Sequence, residues 1–517
     1  MLEGLLLGFQ TVTTIQNLFL VLAGCMVGTF IGMLPGLGPI SAIALMIPIT
    51  YGLEPSSGMI LLAGVYYGAI FGGSTSSILI NAPGVAGTVA TSFDGYPMAK
   101  RGQAGKALAI AAYSSFAGGT IATILLMISA PWLSDISLSF QSTDYVLLMV
   151  LGLSLVAAFS PPEQYWKAMM MTCLGLMLST VGTDLSAGVQ RFTFGQSDLI
   201  DGISFLLLAM ATFALSEVMM MLLKSGTGIV SPDHSEIMED SGNKDMKLNV
   251  TSKEAKSLVP VLGRSSILGF LVGTLPGAGA TIASFLAYGF ERKLAATKGE
   301  FQFGTGNIKG LAAPETANNA ACTASFVPLL TLGIPGSGTT AILLGALIAY
   351  GVQPGPRLLS DEPEIFWGVV VSMYFGNLFL LALNLPLIPY LAKVLSLKRQ
   401  ILIPIITFFS LMGVYLVSFN TFDLYLMIFI ACIALLLRLA QYPMAPLLLG
   451  FILGGLLEDN LRRAVTLSQG DVTSLLSRPI TQILLTMTVL VLIGPLLGLL
   501  YRRINVKLNE PQQETRL

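Results

Sequence analysis

Ionisable side chains are scarce in this sequence. Only 11% of its 517 residues are Asp, Glu, Lys or Arg, where a soluble chain of this length carries about a quarter. With 54% hydrophobic residues and a strongly positive mean hydropathy, the composition excludes a soluble globular protein and indicates a polytopic membrane protein. Histidine is scarcer still. His234 stands alone in a polar stretch, which excludes a histidine metal site or an intramembrane histidine relay. Four cysteines (Cys25, Cys173, Cys322, Cys432) lie singly in apolar runs without a CxxC, so they read as small buried apolar residues, not as zinc or haem ligands. A formal net charge of −1 favours neither nucleic acid nor an acidic surface as partner. Enzyme signatures are missing as well: there is no G-x-S-x-G, no H-E-x-x-H and no pair of acids at helical spacing within an apolar run. The lack of a G-x-x-x-x-G-K-[ST] phosphate loop argues against an ATP-driven pump. The opening "MLEGLLLGFQ" has no basic n-region, and the chain is expected to start there in its mature form.

What is present is a succession of apolar runs, some long enough to span a bilayer at about 20 residues and others half that length. They predict an all-α protein with about 12 transmembrane helices plus re-entrant half-helix hairpins. The expected organisation is a first membrane half over 1–224, a polar connector over 225–257, a second half over 258–501 and a tail over 502–517. Basic clusters at Lys100/Arg101/Lys106, Arg292/Lys293, Lys398/Arg399, Arg462/Arg463 and Arg502/Arg503/Lys507 predict a cytoplasmic tail.

The halves echo each other. "VGTFIGMLPGLGPISA" (27–42) resembles "LGFLVGTLPGAGATIA" (268–283), and each is followed by a second proline-glycine interruption, "NAPGVAGT" (81–88) and "GIPGSGTT" (333–340). Hydrocarbon offers no water to backbone groups, so broken helix within a membrane is tolerated where it lines a cavity. Matched interruptions in two halves predict the inverted repeat of a secondary transporter, with the site at the repeat interface. A helix beginning inside the membrane presents unpaired N–H groups and a partial positive charge, which suits an anion. The substrate-binding candidates are therefore Asn81, Pro83, Gly84 and Thr88 in the first half and Pro335, Gly336, Ser337, Gly338, Thr339 and Thr340 in the second, two opposed tips needing no buried arginine. The blander reading is close helix packing through small residues. An ion channel would also use interrupted helices, but normally as symmetric filters, and these halves are unequal.

Hydroxyl and amide oxygens gather in "FGGSTSSI" (71–78) and "APETANNAACTASF" (313–326). With carbonyls freed at the breaks they suit a hard cation such as sodium. The cation-binding candidates are Gly36, Gly38, Ser74, Thr75, Gly277, Gly279, Asn318 and Asn319. Glu315 either joins them or caps a helix N-terminus just after Pro314. No organic cofactor is expected, and the coupling ion is sodium or a proton.

Four longer stretches, "DGYPMAKRGQAGKAL" (94–108), "AAPETANNAA" (312–321), "LLTLGIPGSGTTAILLGAL" (329–347) and "YGVQPGP" (350–356), closely resemble the large membrane subunit of the tripartite tricarboxylate transporters. The likeness runs from about residue 15 to 460. It implies a bacterial inner-membrane carrier of citrate or a related carboxylate, driven by a sodium or proton gradient and moving as an elevator. It also implies a small integral-membrane subunit and a periplasmic solute-binding protein as partners, with a stand-alone carboxylate carrier or anion channel as the alternative. Family members often show other residues where this chain has Val85-Ala86-Gly87, a difference that bears on which acid is accepted.

Overall fold

A computed structural model describes all residues except 35–36, 159, 161–163, 185–186, 227–247, 249, 276, 278, 298–301, 395–398, 470, 472–475 and 510–517. The fold is helical. Its first part contains α1 (Leu2–Val12), α2 (Ile15–Met33), α3 (Gly38–Thr50), α4 (Pro55–Ile80), α5 (Val89–Met98), α6 (Ala104–Ser137), α7 (Ser142–Ala158) and α8 (Tyr165–Leu178). A small antiparallel hairpin, β1 (Gly182–Asp184) and β2 (Val189–Arg191), precedes α9 (Phe205–Ala209), which passes through the π-helical Met210–Leu215 into α10 (Ser216–Gly226). The second part runs through α11 (Ser252–Gly273), α12 (Gly279–Thr297), α13 (Ile308–Ala324), α14 (Phe326–Leu332), α15 (Gly338–Ala349), α16 (Leu358–Asp361) and α17 (Pro363–Val394). Then come α18 (Arg399–Ser418), α19 (Thr421–Leu439), α20 (Ala445–Leu467) and α21 (Pro479–Asn509). Among the described residues seven helices are long and apolar enough to cross a membrane, accompanied by six shorter apolar ones.

Small residues set the closest helix pair. On α2, Gly24, Gly28 and Gly32 lie one turn apart and face α4. A Cβ on Gly28 would come within 2.2 Å of the Val65 carbonyl oxygen, and one on Gly32 within 2.1 Å of that of Ala69. Without a hydrophobic drive between helices in lipid, such backbone approach supplies the packing. The second half does the same: a Cβ on Gly269 of α11 would come within 2.5 Å of the Ala317 oxygen of α13, and one on Gly273 within 2.4 Å of that of Ala321. These glycines are the partners of Gly28 and Gly32 in the sequence echo. α4 is buried along almost its whole length, with α17 packed on it, and α6 packs on α13.

Several elements depart from the sequence reading. α11 begins at Ser252, inside the stretch read as connector, because Thr251 and Glu254 form a capping box: the Thr251 hydroxyl accepts from the Glu254 N–H at 3.3 Å and the Glu254 carboxylate from the Thr251 N–H at 3.0 Å. Most of the connector, with His234, and the end of the tail lie outside the described residues. Glu315 is not a helix cap. It lies inside α13, whose N-cap is Asn307, and Pro314 is accommodated in the second turn.

Asp94, from the "DGYP" stretch, ties the halves together. Its buried carboxylate accepts the backbone N–H groups of Gly304, Gly306 and Asn307 at 2.9, 2.8 and 2.7 Å and the Tyr288 hydroxyl at 3.1 Å. Charge-assisted bonds of this kind each contribute about 1.5–3 kcal/mol. Asp94→Asn, which turns one acceptor oxygen into a donor, is expected to lower stability by at least about 2 kcal/mol. A thermal melt of the purified protein checks it, with Tyr288→Phe expected to move the midpoint less.

Candidate functional site

The helical backbone stops at each of the interruptions. α4 ends on Asn81 in the left-handed region (φ 52°), and α14 ends on Gly333 in the same region (φ 69°). Beyond them the chain re-enters helix at the Ala86–Thr88 3-10 turn leading into α5, and at α15. The first-half break packs against α2, where a Cβ on Gly84 would come within 2.0 Å of the Gly32 oxygen. In the second half a Cβ on Gly336 would come within 3.3 Å of the Gly273 oxygen, and the Gly277 N–H donates to the Gly336 carbonyl at 2.9 Å.

All four interruptions open on one cavity of about 560 Å³, within the range of about 300–1,000 Å³ typical of small-molecule sites. Its walls include the first residues of α3 (Gly38 to Ser41), the Ala86–Thr88 turn, α12 (Gly279 to Ile282), α15 (Gly338, Thr339) and α20 (Ala445, Pro446). Four helix N-termini thus converge on a common space. Each brings first-turn N–H groups that have no intrahelical acceptor and the positive end of a helix dipole. The remaining wall is mostly apolar, with Tyr66, Ile70, Val156 and Phe213 among its residues.

Of the residues expected to bind substrate, Pro83, Gly84, Ser337, Gly338 and Thr339 line this cavity. Asn81, Thr88, Pro335, Gly336 and Thr340 do not. Asn81 is exposed, and the Thr88 hydroxyl is engaged by Ser77 at 2.7 Å and the Val85 carbonyl at 2.8 Å. Thr340 is fully buried and shares a capping box with Ser337: the Ser337 hydroxyl accepts the Thr340 N–H at 3.3 Å, and the Thr340 hydroxyl accepts the Ser337 N–H at 2.8 Å. Those two hydroxyls start α15. Ser337, Gly338 and Thr339 line the cavity there.

The residues expected to bind a cation separate into two places. Gly38, Gly277 and Gly279 line the large cavity with the substrate candidates, and Gly36 lies outside the described residues. Ser74 and Thr75 lie elsewhere, beside Ser115, and Asn319 donates to Ser115 Oγ at 2.9 Å and to the Glu315 carboxylate at 3.2 Å. Asn318 is wholly buried against Gly87, its side-chain amide without a hydrogen-bond partner.

Sequence reasoning missed Arg438. It is the one ionised side chain on the cavity wall among the described residues, held from the last turn of α19. Its guanidinium pairs with Glu217, donates to the Thr212 carbonyl at 3.0 Å and lies over the Phe213 ring, 5.7 Å from its centre. Thr212 and Phe213 belong to the π-helical turn, where the widened backbone alters the regular carbonyl pairing. Its Nε is buried without a partner.

Residues 18–449 match the family described as "Tripartite tricarboxylate transporter TctA family". Over 486 residues, 94% of each chain, the protein is 43% identical to an Agrobacterium vitis protein named "Uncharacterized 52.8 kDa protein in TAR-I ttuC' 3'region". It is 46% identical over 218 residues to "Uncharacterized protein in TAR-II ttuC' 3'region" of the same organism, covering 42% of this chain and 89% of that one. No solved structure matches the chain.

Proposed function

This chain belongs to the tripartite tricarboxylate transporter TctA family and is a multi-pass protein of the inner membrane, and on that footing we propose that it carries an organic carboxylate, citrate or another di- or tricarboxylate, across that membrane. The observation that carries this reading is the convergence of four helix N-termini on one cavity. A polyanion there meets oriented N–H donors from several sides, and Arg438 adds a formal positive charge at the wall. Apolar residues around these groups exclude water and strengthen each contact. In this reading uptake draws on a sodium or proton gradient. A periplasmic solute-binding protein delivers the acid, and a small integral-membrane subunit completes the carrier.

The paired packing of Gly28 and Gly32 with α4, and of Gly269 and Gly273 with α13, supports two copies of one unit, arranged as an inverted repeat of about 12 crossings in all. In this reading a transport domain moves against a scaffold as an elevator and carries the cavity from one face of the membrane to the other.

Uptake of labelled citrate into proteoliposomes tests the proposal. They contain this chain, its small subunit and a loaded binding protein, and sodium and proton gradients are imposed one at a time. Accumulation above equilibrium that requires a gradient and the binding protein supports it. Downhill flux alone, indifferent to both, would indicate a channel and sink the reading.

A further inference from the structure

The Glu315 carboxylate is wholly buried and lies apart from the walls of the anion cavity. Its oxygens accept from four uncharged donors. Oε1 takes Ser74 Oγ at 2.5 Å, Ser115 Oγ at 2.7 Å and Asn319 Nδ2 at 3.2 Å, and Oε2 takes Thr91 Oγ1 at 2.8 Å. Among the described residues no lysine or arginine pairs with it, whereas Asp144, Glu217, Glu254, Glu291 and Glu458 each have a basic partner. Asp94 is likewise held by neutral donors, but by three backbone N–H groups. Around Glu315 there are hydroxyls and one amide, which disperse a negative charge without cancelling it and leave it to be balanced by a proton or by a cation.

The structure also provides space for one. A small cavity of about 10 Å³ is bounded on its polar side by Ser74, Thr75, Ser115 and Asn384 and otherwise by Phe71 and apolar residues of α6, close to the about 10–15 Å³ that accepts one water-sized guest. Glu315 lies behind two of the hydroxyls and not on the wall itself. Two of its walls are the hydroxyls already bonded to Glu315. Asn384 donates its amide N–H to the Leu380 carbonyl at 2.8 Å, leaving its amide oxygen as an acceptor. One carboxylate with hydroxyl and amide oxygens suits a hard ion of single charge better than a divalent one, which collects more carboxylates.

We propose that Ser74, Ser115 and Asn384 bind one sodium ion with Glu315, bonded to both serines, as its counter-charge, and that Thr91 and Asn318 link this site to the anion cavity. Thr91 lies on α5, one turn beyond the Ala86–Thr88 turn that lines the cavity. Asn318 abuts Gly87 on that same turn: a Cβ on Gly87 would come within 2.2 Å of its Oδ1. A sodium ion drawing Glu315, and Thr91 with it, sets the position of the turn that faces the substrate.

This inference rests on the carrier reading, and its test separates the two. Equilibrium binding of radioactive sodium to the purified chain in nanodiscs, with choline holding ionic strength constant, should show saturable binding. Glu315→Gln removes the charge and keeps one oxygen as acceptor for Ser74, Ser115 and Asn319, its NH2 facing the Thr91 hydroxyl as a donor, and should weaken binding roughly tenfold or more. Ser115→Ala should weaken it less. The proposal is overturned if the wild-type protein binds no sodium or if Glu315→Gln binds it equally well. Should Glu315→Gln fail to fold, unchanged sodium affinity in Ser115→Ala overturns it instead. Citrate binding on the same samples completes the separation. Sodium bound without any carboxylate leaves this site standing and fails the carrier reading, and carboxylate bound without sodium does the reverse.

Discussion

Gly338→Val is expected to lower uptake roughly a hundredfold, the equivalent of about 3 kcal/mol of lost anion contact, while the protein reaches the membrane at normal abundance. Gly338 is the first residue of α15 and faces the cavity. A Cβ there would meet the Ala445 Cβ at 2.9 Å and the Ile40 Cδ1 at 3.2 Å. The Ile40 side chain can turn aside, and the first turn of α20, which carries Ala445, must yield by a few tenths of an ångström, so that a valine fills the space in front of the N–H groups with backbone of one element in its way. Gly336 is different. Its Cβ would press on the Ser325 Cβ at 3.0 Å and Cα at 3.1 Å, so Gly336→Val should fail through lost folding. Ser337→Ala should act through the helix start, costing about 0.5–2 kcal/mol as a lost N-cap, and not through a hydroxyl withdrawn from substrate. Uptake corrected for surface abundance, with melts of the same variants, distinguishes these outcomes. Normal uptake by Gly338→Val would show that the break is a packing device and remove the site from the cavity.

That contrast shows what was legible in the sequence. The interruptions were, because proline and glycine act locally: Asn81 and Gly333 end their helices at the expected places, and the small residues that bring α2 against α4 and α11 against α13 recur in the echo. Residues whose role depends on distant neighbours were not. Gly38, Gly277 and Gly279 stand on breaks that seemed suited to a cation, yet their helix starts face the same cavity as Gly338. Thr340 looked available to a ligand until its hydroxyl was found capping α15. Glu315 sits one residue after a proline, which locally favours a helix start, but Asn307 had already begun α13 a full two turns earlier. Arg438 was invisible for another reason. At the end of an apolar run a lone arginine reads as an interfacial anchor, and its partner Glu217 is far away in the sequence.

Arg438→Met should be damaging in two separable ways. Glu217, only slightly exposed, would lose its counter-charge, and breaking a buried pair from one side typically costs about 3–5 kcal/mol. Much of that follows from the stranded carboxylate. Replacing both members with methionine should therefore restore most of the stability, since an apolar pair of similar volume is often as stable as the ions it replaces. Uptake should not return with it. If Arg438 swings its guanidinium toward a bound carboxylate, the Glu217→Met/Arg438→Met protein will fold well and still transport poorly, with the half-saturating citrate concentration raised roughly tenfold or more. The Nε already buried without a partner is consistent with a guanidinium not committed to its present contacts. Glu217→Gln gives the opposite signature: the arginine is released toward the cavity, so substrate should be held at least as tightly and turnover should fall. Uptake kinetics and melts on the three variants decide the matter. Wild-type half-saturation in the double variant would make the pair purely structural and leave anion recognition to the helix N-termini alone.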